Sequence, residues 1–144
     1  MLEKYSVPRL SGDHFLARCA LAYAGLASAY FYLSNLFMPP REAMPRVREA
    51  AERALALDDS LAQAHTCMAL ALVWYDWNFA QGEKEFQRAI ALNPKDTTSI
   101  CMVGYALQKL GRTNEASQYY AKALKIKPGD EMARKLMASV DMND

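Results

Sequence analysis

The chain reads Ala89-Ile90-Ala91-Leu92-Asn93-Pro94 at one point, and the similar stretch Ala123-Leu124-Lys125-Ile126-Lys127-Pro128 follows one repeat period later. The match extends upstream, since an aromatic residue, Phe86 or Tyr120, stands three residues before the first alanine of each copy. The period that separates the two copies, about 34 residues, is typical of stacked helical hairpins. The sequence therefore predicts an all-α solenoid in which each repeat is one hairpin.

The repeat accounts for most of the chain. Its clearest unit begins with Asp96 or Thr97 as the cap of a helix over 97–110, and Gly111-Arg112 then forms the turn. The preceding unit uses Ser60 as its cap, and Asn93-Pro94 ends it. We predict an N-terminal extension at 1–12, an expanded repeat at 13–59, repeats at 60–94 and 95–128, and a capping helix with a tail at 129–144.

The spacing of small and aromatic residues resembles the tetratricopeptide (TPR) repeat. The positions that carry the resemblance are Phe86, Ala89 and Pro94 in one unit and Ala116, Tyr120, Ala123 and Pro128 in the next. The resemblance implies an α/α superhelical solenoid of about three TPR-like hairpins plus a C-terminal capping helix. It also implies a protein-interaction module. The aromatic block before Gly82 is similar to TPR arrays of bacterial multidomain regulators, which implies that the chain could be a piece of one.

In TPR proteins the first helices line a concave groove that accepts an extended or helical peptide. By that resemblance the groove residues here are Leu21, Ala24, Ser28, Phe31, Gln63, Thr66, Leu70, Val73, Thr98, Cys101, Tyr105 and Gln108. This surface is mostly uncharged. Chaperone-binding members hold the terminal carboxylates of a peptide with Lys and Asn, which are missing from the matching positions Ala24, Ser28, Thr66, Leu70, Cys101 and Tyr105. The resemblance therefore implies a largely apolar peptide or partner helix as ligand.

A block of four aromatic residues follows the first helix of the second repeat. It comprises Trp74, Tyr75, Trp77 and Phe79. These side chains either form a patch at the rim of the groove that anchors a peptide or fill the gap left by the longer first repeat. Large aromatic side chains are prominent both in interface hot spots and in protein cores, so both interpretations stay open.

Composition argues against several other classes of function. A net charge of +1 creates no field that attracts phosphate backbones, so no nucleic-acid partner is expected. Three cysteines without CxxC spacing indicate buried thiols in a reducing, cytoplasmic setting. His14 and His65 lack the i, i+3 or i+4 spacing to a cysteine that a metal site on a helix needs. We expect no catalytic site, metal or cofactor.

The segment 15–33 contains a single charged residue, Arg18, and needs a separate interpretation. Its alanines, its tyrosines and Gly25 make it less apolar than its length suggests, so we expect a repeat helix and no membrane association. The helix is nevertheless apolar almost all round, which requires cover on both sides. The alternative to peptide binding is therefore a structural role, self-association as a homodimer through the first helix.

Overall fold

The computed structural model describes residues 12–142, which form seven α-helices and no β-strand. The helices are α1 (Gly12–Leu36), α2 (Pro40–Leu57), α3 (Ala62–Trp74), α4 (Phe79–Leu92), α5 (Thr97–Lys109), α6 (Thr113–Ile126) and α7 (Glu131–Asp141). Neighbours along the chain pack as hairpins, α1 with α2, α3 with α4 and α5 with α6, and α7 packs on α6 and α5. The predicted all-α superhelical fold, with three hairpins and a final capping helix, is confirmed.

The hairpins stack through a core of small and aromatic residues. Phe86 and Tyr120, which occupy equivalent places in α4 and α6, are both fully buried. Small residues let the helices approach closely: a Cβ atom added at Gly82 would lie 2.4 Å from Cγ2 of Val73 in the partner helix. The repeat pattern in the sequence therefore reflects the contacts that hold one hairpin together and join it to the next.

Among α2–α7, whose starts are described in full, three helices begin with a side-chain cap. Asp96 accepts a hydrogen bond from the backbone N–H of Thr98, as the sequence predicts, and Asn78 and Asp130 cap α4 and α7 in the same way. The predicted cap at Ser60 is wrong. Ser60 instead donates hydrogen bonds from its N–H and its hydroxyl to the Asp58 carboxylate, and α3 begins two residues later, at Ala62.

The expanded first repeat consists of two long helices joined by a short connection. α1 continues to Leu36 and α2 begins at Pro40, so the extra residues lengthen both helices. Proline suits the first position of a helix because its missing N–H would have no partner there. Pro45 lies inside α2 without ending it.

The N-terminal helix has the length and composition of a membrane-spanning segment. In the described part of the chain, α1 alone is long and apolar enough to cross a bilayer by these two criteria, and only 17% of its most apolar window is buried. Core helices of soluble proteins and signal sequences pass the same test. The predicted extension at 1–12 lies, apart from Gly12, outside the described residues, as do the last two residues of the predicted tail.

Candidate functional site: a groove along the first helices

Two adjoining cavities lie where the first helices of the hairpins face the same side of the molecule. They measure about 270 and 320 Å³ and share Phe31, Leu70 and Thr98 in their walls. These three residues come from α1, α3 and α5, so the cavities run across the stack. We call the two cavities together the groove.

The larger cavity is apolar. Its walls include Phe31, Met44, Leu70, Trp74, Met102 and Met132, with Ser34, Asn35, Pro40 and Thr98 at its edges. Met132 belongs to α7, which therefore contributes to the groove as well as capping the stack. Methionine is flexible and polarisable, so a cavity with three methionines can adapt to apolar groups of different shape.

The smaller cavity is lined with hydrogen-bonding side chains. Gln63 Nε2 donates to Ser28 Oγ at 2.7 Å, and Ser28 Oγ lies 3.3 Å from Cys67 Sγ. Thr66 Oγ1 lies 3.0 Å from Ser99 Oγ, which in turn donates to Asp96 Oδ2 at 2.7 Å. This network ties α1, α3 and α5 together beside the apolar cavity and holds the polar groups of this wall in fixed positions.

The charge of the groove is negative and small. Asp96 is its one charged side chain, and neither cavity is lined by a Lys or Arg from the described residues.

Behind the wall of the groove, burial raises the pKa of the Cys101 thiol to about 12, and the carboxylates of Asp130 and Asp96 act in the same direction. Residues 12–142 contain no group of three or more His, Cys, Asp or Glu side chains placed to hold a metal ion.

Half of the groove residues predicted from the sequence line these cavities. They are Ser28, Phe31, Gln63, Thr66, Leu70 and Thr98. Three others line neither cavity, since Ala24, Val73 and Cys101 are buried at 0–1% exposure among the helices. Leu21 is exposed outside both cavities, and Tyr105 and Gln108 are half-buried farther along α5.

The error has a simple geometric cause. From Leu70 the prediction steps three residues to Val73, and from Thr98 it steps three residues to Cys101. A step of three turns back by about 60° on a helix and a step of four advances by about 40°. From Gln63 the step of three to Thr66 still reaches the groove, but from Leu70 and Thr98 it leads into the hairpin core. The residues that line the groove are accordingly Trp74 and Met102.

The sequence contains a signal for one missed residue. Met132 stands one repeat period after Thr98, so carrying the repeat register into α7 places it at the same groove position. Met44 carries no such signal, because the first repeat is longer than the others.

The aromatic block lies at the end of the groove. Trp74 stacks on Tyr105 with ring centroids 5.2 Å apart, and Phe79 meets the same ring edge-on at 6.4 Å. Trp77 contacts Phe79 edge-on and is 68% exposed. Trp77 also has a positive φ of 56°, the left-handed conformation that Gly111 adopts at the equivalent place in the next hairpin. Trp74 and Trp77 thus combine ring contacts with large exposed surfaces, and Tyr75 is 40% exposed.

Comparisons with known proteins agree with this architecture. The family model for the tetratricopeptide repeat matches residues 97–130. No curated protein sequence matches the chain.

Several solved structures are similar over most of the chain. The first TPR of Spaghetti (RPAP3), bound to the HSP90 peptide SRMEEVD, has a TM-score of 0.75 at 20% identity and covers 88% of this chain and 94% of its own. The second TPR domain of human RPAP3, in complex with the HSP70 peptide SGPTIEEVD, has a TM-score of 0.72 at 22% identity, covering 90% and 98%. The Arabidopsis OM64 TPR domain has a TM-score of 0.77 at 16% identity, covering 90% and 99%. At these identities the likeness concerns the fold.

Proposed function

Because the chain is a TPR repeat protein by fold, with a matching repeat at residues 97–130, we propose that it is a non-catalytic protein-interaction module. Its ligand is a largely apolar peptide or partner helix that binds in the groove. The observation that carries this proposal is the apolar cavity of about 320 Å³, bordered by Leu70, Trp74, Met102 and Met132. A cavity of this kind accepts one large apolar side chain of a partner, the usual anchor of a peptide interface.

The charge of the groove favours a different ligand from those of the RPAP3 domains. Their peptides, SRMEEVD and SGPTIEEVD, carry several carboxylates near the C-terminus. Burying carboxylates without a cationic partner costs several kcal/mol per ion. Here the lining supplies no Lys or Arg from the described residues, and Asp96 would repel an acidic peptide. The ligand we propose is therefore neutral or basic around its apolar anchor.

A selection experiment tests the proposal and defines the chemistry of the ligand at the same time. A random peptide library displayed on phage is panned on the immobilised protein, with Thr98→Arg as counter-target. Thr98 is exposed and lies in the wall shared by both cavities, so an arginine there fills the groove without disturbing the core. Asn114→Arg is the matched control, because Asn114 is exposed at the same second position of α6 and lines neither cavity.

The expected result is enrichment of peptides that carry Leu, Met, Phe or Trp without acidic neighbours. They should bind the wild type and Asn114→Arg equally and Thr98→Arg at least tenfold more weakly. Enrichment of acidic peptides, or equal binding to all three proteins, contradicts the proposal.

Self-association through α1 is a second candidate, favoured by a separate observation. The side of α1 that faces away from the other described helices exposes large apolar side chains, among them Leu21, Leu26 and Leu36. Apolar surface of this extent on a soluble protein commonly marks an interface. The two functions use different surfaces and can coexist.

A further inference from the structure

The outer side of α1 differs in chemistry from every other exposed helix surface of the described chain. No charged residue occurs between Cys19 and Phe37, although this stretch makes up most of the helix. The residues that point outward are Leu21, Ala22, Gly25, Leu26, Ala29, Tyr32, Leu33 and Leu36, all of them exposed. We call this surface the outer face of α1.

Gly25 lies within this face, and nothing among residues 12–142 explains it. A glycine in a helix interior costs about 1 kcal/mol relative to alanine. Gly82 and Gly104 have a structural reason, because a Cβ atom at either would collide with a neighbouring side chain. At Gly25 a Cβ atom would meet nothing within 4 Å. With Ala22 and Ala29 beside it, Gly25 forms a shallow depression between larger apolar side chains.

A second copy of the same face fits this surface. The face is uncharged, so a copy laid against it meets no like-charge repulsion. Five of its side chains, Leu21, Leu26, Tyr32, Leu33 and Leu36, are large, apolar and 38–71% exposed. Surface of this kind makes up the roughly 800 Å² that each partner contributes to a stable interface of standard size. The depression at Gly25 lets two helices cross closely, with Leu21 one turn before the contact and Leu26 and Leu33 after it on the opposite flank.

A lipid surface fits less well. Helices that lie on membranes carry basic residues along the boundary of their apolar face. Beside α1, the exposed charges of α2 alternate in sign, with Glu42, Glu49 and Glu52 among its arginines. A bilayer also gains nothing from a glycine at the centre of the face, whereas a crossing helix does.

We propose that the protein forms a two-fold symmetric homodimer in which the outer faces of α1 cross at Gly25. This inference rests on the second candidate function and specifies its geometry. In a two-fold interface the same residue of each copy lies closest to the axis, and here that residue is Gly25. Tyr23 and Tyr30 lie outside this contact, on the flank of α1 that faces α2. Their rings are half-buried and covered by the guanidinium groups of Arg53 and Arg46 at 5.7 and 5.6 Å.

The test combines the mass in solution with a cross-link. Light scattering on a sizing column should give twice the chain mass of 16.2 kDa for the wild type and a single chain mass for Gly25→Glu. Glutamate is a better helix former than glycine, so this variant keeps the helix while placing a charge at the crossing. Ala121→Glu, a change at an exposed alanine inside α6, is the matched control and should remain a dimer.

The cross-link tests the register. In a Cys19→Ser background, Gly25→Cys should form an intermolecular disulfide on mild oxidation, because two cysteines can be bridged only when their Cα atoms lie within about 7 Å. A dimer that does not cross-link, or one that Gly25→Glu leaves intact, overturns the crossing at Gly25 while self-association stands. A wild type that is monomeric at all concentrations overturns both the crossing at Gly25 and self-association. A monomer that cosediments with phosphatidylcholine vesicles does the same. Peptide binding by Gly25→Glu should be unchanged, which separates this test from that of the groove.

Discussion

Gly104 and Tyr120 are in such close contact that a Cβ atom on Gly104 would lie 2.5 Å from Cε1 of the tyrosine ring. The ring is fully buried, and its hydroxyl donates to Gln108 Oε1 at 2.9 Å. Burial raises the pKa of Tyr120, so the hydroxyl stays protonated and keeps this donor. The missing side chain of Gly104 thus allows the ring to pack closely against α5 in the third hairpin.

Gly104→Ala should therefore destabilise the protein although alanine is the better helix former. The helix gains about 1 kcal/mol from the substitution, while forcing a methyl group into a packed ring contact costs about 1–3 kcal/mol. Urea denaturation should show a net loss of stability, of up to about 2 kcal/mol. Gly25→Ala is the control, since its methyl group meets nothing. Measured at low concentration, it should gain about 0.5–1 kcal/mol. A stabilised Gly104→Ala would contradict the account of this contact.

The pair formed by His65 and Glu85 should show strong coupling. Nδ1 of His65 lies 2.7 Å from Oε2 of Glu85, and the two side chains are only 4% and 13% exposed. Nε2 lies 2.8 Å from the backbone oxygen of Asp59. Removing one partner leaves a buried polar group without its hydrogen bond, which costs the desolvation free energy of that group. Replacing both partners with apolar residues leaves no unpaired polar group and avoids this cost.

His65→Leu and Glu85→Leu should each cost about 2–3 kcal/mol, and the double variant should cost less than their sum by about 1–3 kcal/mol. Thermal or urea denaturation of the four proteins gives this coupling energy directly. Losses that simply add would mean that the two side chains act independently.

Asp130 should make stability depend on pH in the acid range. The hydrogen bond from the Ala133 N–H lowers the pKa of the Asp130 carboxyl, and the Thr97 hydroxyl acts in the same direction. Because this pKa is lowered on folding, the ionised carboxylate stabilises the folded protein. The stabilisation is fully present above about pH 4, the ordinary pKa of an aspartate, and is lost as the pH falls through the lower pKa of the folded state.

Asp130→Ala should lose about 1 kcal/mol at pH 7, the usual value of a helix cap. The difference from the wild type should shrink on acidification below pH 4. Asp130→Asn should retain most of the stability, because asparagine also caps helices, but without this pH dependence. A difference between Asp130→Ala and the wild type that is constant from pH 7 to pH 3 would contradict the assignment.

The three cysteines should differ in reactivity. Cys67 and Cys101 are buried, and burial raises the pKa of both thiols, so little thiolate is available to react. Cys19 is partly exposed on α1. A disulfide reagent at pH 8 should therefore titrate one thiol rapidly in the native protein and three in denaturant. Cys19→Ser should abolish the rapid phase, and rapid reaction of two or more thiols would be inconsistent with the packing of α3 and α5.

The fold could be predicted because its contacts recur at a fixed spacing. Phe86 and Tyr120 fill equivalent places in successive hairpins, and the chain shows this as a regular period. The caps were harder to predict. Ser60 donates its N–H and hydroxyl to the Asp58 carboxylate, and α3 begins beyond it, at Ala62. The repeat pattern carries no information about this local contact.

The site could be predicted only in part. Ser28, Thr66 and Thr98, which the sequence assigns to the groove, line its smaller cavity, but a helix face depends on angle as well as spacing. An error of one residue exchanges Met102, which lines the groove, for Cys101, which is buried behind it. Met44 reaches the groove because α1 and α2 are longer than the other helices, a property that the repeat register does not encode.

The most direct test of the central claim is a titration followed through the methionine methyl groups. Met44, Met102 and Met132 line the apolar cavity, whereas Met68 and Met137 lie outside the groove and serve as internal controls. The probes are SRMEEVD and the amidated peptide SRMLLVN, in which neutral residues replace the three acidic ones. We predict that SRMLLVN shifts the three groove methyl signals and leaves the controls in place, while SRMEEVD shifts none. Equal shifts with SRMEEVD, or no shift of the groove signals with SRMLLVN, would contradict the account.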